Sequence, residues 1–247
     1  MRRSIQICLS VGCALLLLLL LGAAINFRSS TNASARSTPK NPLTAGGDDL
    51  SGNYRITAAR NPDGSSYQGA VRISRLGDAY RIVWTMTAGS GYEGIGIQMG
   101  DVLAVGWGIG GGKNGVVAYR IDGGTLTGRW TLSGMKGAIG TEELAGSPEL
   151  RGDYRIVRST APGAGKGYAG TVNLTPHGDT YTVAWRLASG ESYNGVGVRH
   201  GNLLVVGWGI RQDSVGVVSY RVEGATLQGV WAIPGGDRLG AETLTRR

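Results

Sequence analysis

The sequence is poor in cysteine, histidine and proline, and the first two shortages exclude several kinds of site. Both cysteines, Cys8 and Cys13, lie in an apolar N-terminal segment. The rest of the chain therefore has no disulfide, no thiolate nucleophile and no cysteine-based metal site. The only histidines, His177 and His200, have no cluster of carboxylates or cysteines to complete a metal site, and a lone histidine in a turn is typically solvated. We therefore predict no metal and no cofactor.

Catalytic and nucleotide-binding motifs are also missing. No Ser-His-Asp set and no pair of catalytic carboxylates can be assigned. Residues 106–111 fit the G-x-G-x-x-G pattern, but they open no helix, and Gln212 replaces the last glycine in a second occurrence. The net charge is +8, yet the basic residues form no dense stripe, which argues against nucleic-acid binding. These features predict a protein that is not an enzyme.

The N-terminus contains a long apolar run. Arg2 and Arg3 precede residues 5–25, which are long enough to cross a bilayer as a helix. We predict that residues 1–27 are either a cleaved signal peptide or an uncleaved membrane anchor, and that the protein is exported to the cell envelope. Residues 28–49 are rich in Ser, Thr, Asn and Pro and are predicted to form a flexible linker.

The remaining chain is a duplication. The segment 202–233 repeats the pattern of 101–132, so that Trp107 matches Trp208 and Tyr119 matches Tyr220. All six tryptophans and all ten tyrosines have a counterpart in the other copy. A repeat of this size is a domain-sized unit. We therefore predict two modules, at 50–147 and 148–247.

Apolar residues alternate within each copy, as Tyr80, Ile82, Trp84 and Met86 do, and this period of two is typical of half-buried strands. Glycine-containing pairs between the runs suit tight hairpins. The pattern predicts an all-β fold of two tandem antiparallel meanders, each a compact eight-stranded barrel or curled sheet. The alternatives are a two-sheet sandwich for each copy and one continuous structure of sixteen strands.

Four charged residues that match between the copies are predicted to form structural ion pairs. Arg55 lies on the first predicted strand of its copy and Glu142 on the last, and barrel closure would make these strands neighbours. Arg155 and Glu242 repeat the arrangement. The alternative is that each glutamate is a ligand-binding acid.

The tryptophans are the candidate ligand-binding residues. Their alternation with Leu and Val favours core packing, and stacking on a ligand is the alternative. The six positions are Trp84, Trp107, Trp130, Trp185, Trp208 and Trp231.

The spacing of aromatic and glycine residues resembles that of a known family. The motifs are an opening G-x-Y, then Y-x-G-x-V, Y-x-[IV]-x-W, L-x-V-x-W-G, L-x-G-x-W and a closing E-x-L, and they recur in both copies. They resemble secreted bacterial β-repeat proteins that are sometimes labelled fibronectin-binding. The opening motif is more loosely similar to the G-x-W of lipocalin-like and avidin-like barrels. The resemblance implies an extracellular-matrix protein such as fibronectin as a candidate partner, and it assigns no binding residue.

Two functions follow as hypotheses. The favoured one is a non-enzymatic envelope protein that binds a protein or glycan partner through its duplicated modules, with avidity from their linkage. The alternative is a carrier of small hydrophobic ligands, which requires a cavity lined by Trp84, Trp107 or Trp130 in place of a filled interior. A hydrolase with an unrecognised site is the least favoured hypothesis.

Overall fold

The structure, a computed structural model, describes residues 49–108, 113–163, 165–209 and 215–247. These residues form sixteen β-strands arranged as two closed, eight-stranded antiparallel barrels, which confirms the predicted fold class. They include no helix with the length and apolarity that a bilayer span requires. The predicted signal or anchor and nearly all of the predicted linker lie outside the described residues.

The strands follow one another with short connections. The first eight are β1 (Gly52–Arg60), β2 (Gly69–Leu76), β3 (Ala79–Met86), β4 (Gly91–Met99), β5 (Val102–Gly108), β6 (Asn114–Asp122), β7 (Thr125–Leu132) and β8 (Gly140–Ala145). The second eight are β9 (Gly152–Thr160), β10 (Gly170–His177), β11 (Thr180–Leu187), β12 (Ser192–His200), β13 (Leu203–Gly209), β14 (Val215–Glu223), β15 (Thr226–Ala232) and β16 (Gly240–Arg246).

The barrels do not coincide with the two sequence copies, because the copies exchange their last three strands. The first barrel consists of β1–β5 closed by β14–β16, and the second barrel consists of β6–β13. The boundary predicted between residues 147 and 148 therefore falls inside the second barrel, between the paired strands β8 and β9. Each barrel contains five strands from one copy and three from the other.

The exchange preserves equivalent strand pairs. In the first barrel β5 pairs with β14, and Val105 lies opposite Val218. In the second barrel β13 pairs with β6, and Val206 lies opposite Val117. Val117 and Val218 are equivalent positions of the two copies, so β5 meets a valine on β14 where β6 would also offer a valine.

Three apolar cores hold the fold together. One fills part of each barrel interior, and the third lies between the barrels, built from outward-facing residues of β4, β5, β6, β12, β13 and β14. Glycines permit the barrels to approach closely: a Cβ on Gly106 would overlap the carbonyl oxygen of Gly115, and a Cβ on Gly207 would overlap that of Gly216. At these points backbone packs directly on backbone, which only glycine allows.

One end of each barrel is plugged by a buried leucine, which lies just before the first strand of a sequence copy. Leu50 is 1% exposed, and its carbonyl oxygen accepts a hydrogen bond of 2.9 Å from the hydroxyl of Tyr54. Leu150 is buried in the same way in the second barrel and adopts a positive φ of 54°, but there the hydroxyl of Tyr154 donates to the carbonyl oxygen of Ser147. The opposite ends of the barrels, where β3 ends and β4 begins in the first, are not filled in this way.

Candidate functional site

Each barrel contains a cavity at the end opposite its leucine plug. The first-barrel cavity has a volume of about 630 Å³, and that of the second barrel about 380 Å³. All six tryptophans singled out in the sequence line these cavities, three in each. The first cavity is bounded by Tyr67, Trp84, Tyr92, Trp107, Trp231 and Glu242, and the second by Trp130, Glu142, Tyr168, Trp185, Tyr193 and Trp208, among other residues.

A buried carboxylate lies in the wall of the first cavity and accepts three hydrogen bonds. Glu242, on β16, is 5% exposed. Its Oε1 accepts from the Nε1–H of Trp84 at 3.1 Å and from the hydroxyl of Tyr220. Its Oε2 accepts from the hydroxyl of Tyr67 at 3.2 Å. Two hydroxyls and an indole thus converge on one acid.

The second cavity repeats this arrangement. Glu142, on β8, is 2% exposed. Its Oε2 accepts from the Nε1–H of Trp185 at 3.3 Å and from the hydroxyl of Tyr119, and its Oε1 accepts from Tyr168 at 2.8 Å. Tyr119, Tyr168 and Trp185 are the counterparts of Tyr220, Tyr67 and Trp84, so both networks are built from equivalent positions.

Burial and hydrogen bonding act in opposite directions on these acids. Burial raises the pKa of Glu242 and of Glu142, while the hydrogen bonds from tyrosine and tryptophan lower it. Burial, followed by the adjacent carboxylate charge, raises the pKa of Tyr67 and Tyr220. The hydroxyls therefore stay protonated and serve as donors to the acid.

The tryptophan rings fit inside the barrels because glycines lie opposite them on neighbouring strands. Trp107 is the cross-strand partner of Gly216, where a Cβ would overlap the indole ring. Trp231 faces Gly240 in the same way. The Nε1 of Trp231 is buried without a hydrogen-bond partner among the described residues, since that part of the ring lies against the glycine backbone. The second barrel has the pairs Trp208–Gly115 and Trp130–Gly140.

The two cavities differ in how closely their indoles approach. In the second barrel, Trp208 makes an edge-on contact with Trp130 at a centroid distance of 5.9 Å and a tilted contact with Trp185 at 6.5 Å. In the first barrel, the aromatic contacts join tyrosine to tryptophan, as for Tyr92 and Trp107 at 5.2 Å. The cavity in which the indoles contact one another is the smaller of the two.

Each cavity is assembled from both sequence copies. In the first barrel, Tyr67, Trp84 and Trp107 come from the first copy, while Trp231 and Glu242 come from the second. The second barrel has the reverse composition. The sequence predicted the tryptophans as candidates, but the prediction that placed Trp130 in one module with Trp84 and Trp107 is wrong, because β7 belongs to the second barrel.

The predicted ion pairs are wrong. Arg55 lies opposite Ala70 and Thr245 in the first barrel and is exposed, whereas Glu142 is buried in the second barrel. Arg155 and Glu242 are separated in the same way, because strand exchange gives each first strand the last strand of the other copy as its neighbour. The alternative, a ligand-binding acid, matches the position of both glutamates.

The site tyrosines were not singled out in the sequence. Tyr67 and Tyr168 precede β2 and β10, and Tyr119 and Tyr220 lie on β6 and β14. Their recurrence in both copies was a signal, but it applied equally to every tyrosine of the chain. Only the structure shows which hydroxyls reach a carboxylate.

His200 is not a solvated turn residue, contrary to the expectation for a lone histidine. It ends β12, and its Nδ1 lies 2.9 Å from the Oγ of Ser219 on β14, so that the pair links the two barrels. Ser219 is fully buried, which makes it inaccessible as a nucleophile. Among the described residues, no group of three or more His, Cys, Asp or Glu side chains is placed to hold a metal ion.

Comparison with known proteins gives no family assignment: the chain matches no protein-family model and no curated protein.

Proposed function

We propose that the protein binds a small ligand with an aromatic or other apolar body in the cavity of each barrel. The single observation behind this proposal is that two open-ended cavities, each walled by three tryptophans, carry the same buried acid. Volumes of about 630 and 380 Å³ lie within the usual range for small-molecule sites. A mostly apolar wall with a few convergent polar groups is the common composition of such sites.

The cavities favour this function over the use of the barrel interiors as simple cores. Interiors of proteins are normally packed without large voids. Burying a carboxylate without a cationic partner is also unfavourable for stability, so a purely structural acid would be better replaced by an apolar side chain. Both features recur in the two barrels, and both are expected of a binding site.

The proposal is tested with Nile red, an uncharged dye whose emission rises in apolar surroundings. We expect saturable binding and energy transfer from the cavity tryptophans. Trp107→Ala together with Trp208→Ala should weaken binding by about tenfold, since each removes a large apolar contact. Tyr80→Phe is the matched control, because Tyr80 lies at the plugged end of the first barrel. Absence of Nile red binding to the unaltered protein contradicts the proposal.

The hypothesis of an extracellular protein or glycan partner stays a prediction. It is tested separately by immobilising residues 45–247 and measuring association with fibronectin and with surface glycans. Binding that survives Trp107→Ala and Trp208→Ala would assign such a partner to the outer surface of the barrels.

A further inference from the structure

We infer that the ligand of these cavities is an organic cation, an amine or a quaternary ammonium group on an apolar body, held between the indole rings and the buried acid. This inference rests on the proposed function and deepens it, because it names the chemical class of the ligand. It assigns the role of counter-ion to Glu242 in the first barrel and to Glu142 in the second.

The hydrogen bonds around each acid favour its ionised form. An indole N–H can only donate, and it therefore requires an acceptor oxygen on the acid. Two protonated tyrosine hydroxyls donate to the same group. A carboxylate offers about four acceptor positions, so three donors leave one position for a ligand. In a neutral carboxylic acid the proton would compete for that fourth position, so a cationic ligand and the ionised acid suit each other.

Among the residues that the structure describes, no cationic side chain balances the acid in the first barrel. The described residues that line this cavity include no Lys, Arg or His. The salt bridges Arg81–Glu93 and Arg158–Glu143 involve neither Glu242 nor Glu142. With Glu242 ionised, the described lining residues therefore carry a net negative charge.

The described lining residues of the second cavity also carry a net negative charge. Lys113 and Glu191 both line it and both are exposed, so their opposite charges offset each other near the solvent. The charge of Glu142, deeper in the barrel, has no cation among its hydrogen-bond partners. The two sites thus share a buried anion although their outer residues differ.

The aromatic walls select a cation among the possible ligands. Faces of tryptophan and tyrosine attract ammonium groups, most strongly where water is excluded. Trp107 and Tyr92 meet edge to face at 5.2 Å, an arrangement that presents differently oriented rings to the cavity. A neutral ligand would displace water from the carboxylate without replacing its charge, and an anion would be repelled. An organic cation satisfies both the rings and the acid.

Two probes of equal shape test the inference on the unaltered protein. Benzyltrimethylammonium carries a positive charge, and neopentylbenzene is its uncharged isostere. Binding of each is measured by displacement of Nile red and by calorimetry. We expect the cation to bind about tenfold more tightly than the isostere.

Variants assign the preference to the acids. Glu242→Gln together with Glu142→Gln should weaken cation binding by about tenfold and leave the isostere within about twofold. The control is Glu223→Gln, which removes one negative charge from an exposed position at the far end of β14 and should leave both affinities unchanged. Circular dichroism checks that each variant is folded. If the glutamine variants do not fold, the comparison of the two probes on the unaltered protein still decides the outcome.

The outcomes separate this inference from the proposed function. If the isostere binds as tightly as the cation, or if the preference survives the glutamine variants, the inference is wrong while the cavity remains a ligand site. If Nile red binds and neither probe does, the inference is likewise wrong. If Nile red also fails to bind, both are rejected.

Discussion

Strand exchange between the two copies predicts that a disulfide between positions 55 and 245 will form within a single chain. Arg55 on β1 and Thr245 on β16 are Cα partners, and Arg55 is exposed. Opposite residues of antiparallel strands have Cα atoms about 4.5–5.5 Å apart, which is within the range that a disulfide spans. The variant carries Arg55→Cys and Thr245→Cys, with Cys8 and Cys13 replaced by serine so that no other thiol competes.

The bond closes a loop of about 190 residues, and loop-closure entropy then stabilises the native state by about 5 kcal/mol at 25 °C if the bond is unstrained. For a unit of this size, the melting temperature should rise by about 10 °C or more in the oxidised protein relative to the reduced one. Non-reducing electrophoresis and peptide mass spectrometry establish that the bond lies within a monomer, and calorimetry measures the melting temperature.

The matched control places the second cysteine at the equivalent position of the first copy. Arg55→Cys with Ala145→Cys would cross-link only if β1 paired with β8 of its own copy, and the structure puts these two strands in different barrels. Efficient closure of this pair within a monomer would refute the exchange. A bond between positions 55 and 245 that forms only between two chains would show instead that the strands are exchanged between molecules.

Three further changes have defined expectations. Gly216→Ala places a methyl group into an indole ring of the first barrel and should destabilise the protein by about 1–3 kcal/mol in chemical unfolding. Burial lowers the pKa of His200, so on acidification below about pH 6.5 the unfolded chain takes up a proton before the native state does, and native stability falls as the pH falls. His200→Met with Ser219→Ala, the residues of the first copy, should remove this contribution in unfolding measured from pH 7 to 5. Tyr67→Phe removes a donor from Glu242 and raises the pKa of this acid further, so we expect cation binding to be lost at a higher pH than in the unaltered protein. Titrations of cation binding against pH measure this shift, with Tyr220→Phe as a second variant that removes the other hydroxyl donor to the acid.

The alternation of apolar residues was sufficient to predict the strands, because a period of two marks strands that bury one face. It favoured a barrel but left a two-sheet sandwich as an alternative, since both folds bury one face of every strand. It could not predict strand exchange. Val105 faces Val218 in the structure and would face Val117 without exchange, so both arrangements bury the same kinds of side chain. The pattern of apolar residues cannot distinguish two partner strands that offer the same side chain at the point of contact.

The sequence did hold information against the predicted ion pair. Arg55 lies between Tyr54 and Ile56, whose side chains face the interior, so Arg55 must face outwards. Glu142 alternates in phase with Leu144 and therefore faces inwards. Two residues that point to opposite faces of a barrel wall cannot form a pair across adjacent strands.

The tryptophans show a different limit to what periodicity reveals. The spacing of Trp84 and Trp107 places both inside a barrel, and this much was predicted. Whether the interior is filled or hollow depends on how far each ring reaches across the lumen, which is decided by the glycines opposite the rings. Gly216 supports the ring of Trp107 against the wall, and this relation appears only when the neighbouring strand is known.

Because each pocket is built from strands of both sequence copies, the ways in which this chain can evolve are limited. A substitution in a single strand acts on one pocket, whereas replacement or loss of a whole copy acts on both, since the early strands of each copy shape one barrel and its late strands supply the acid of the other. In the exchanged arrangement, neither copy can be removed as a unit while either pocket keeps all of its walls.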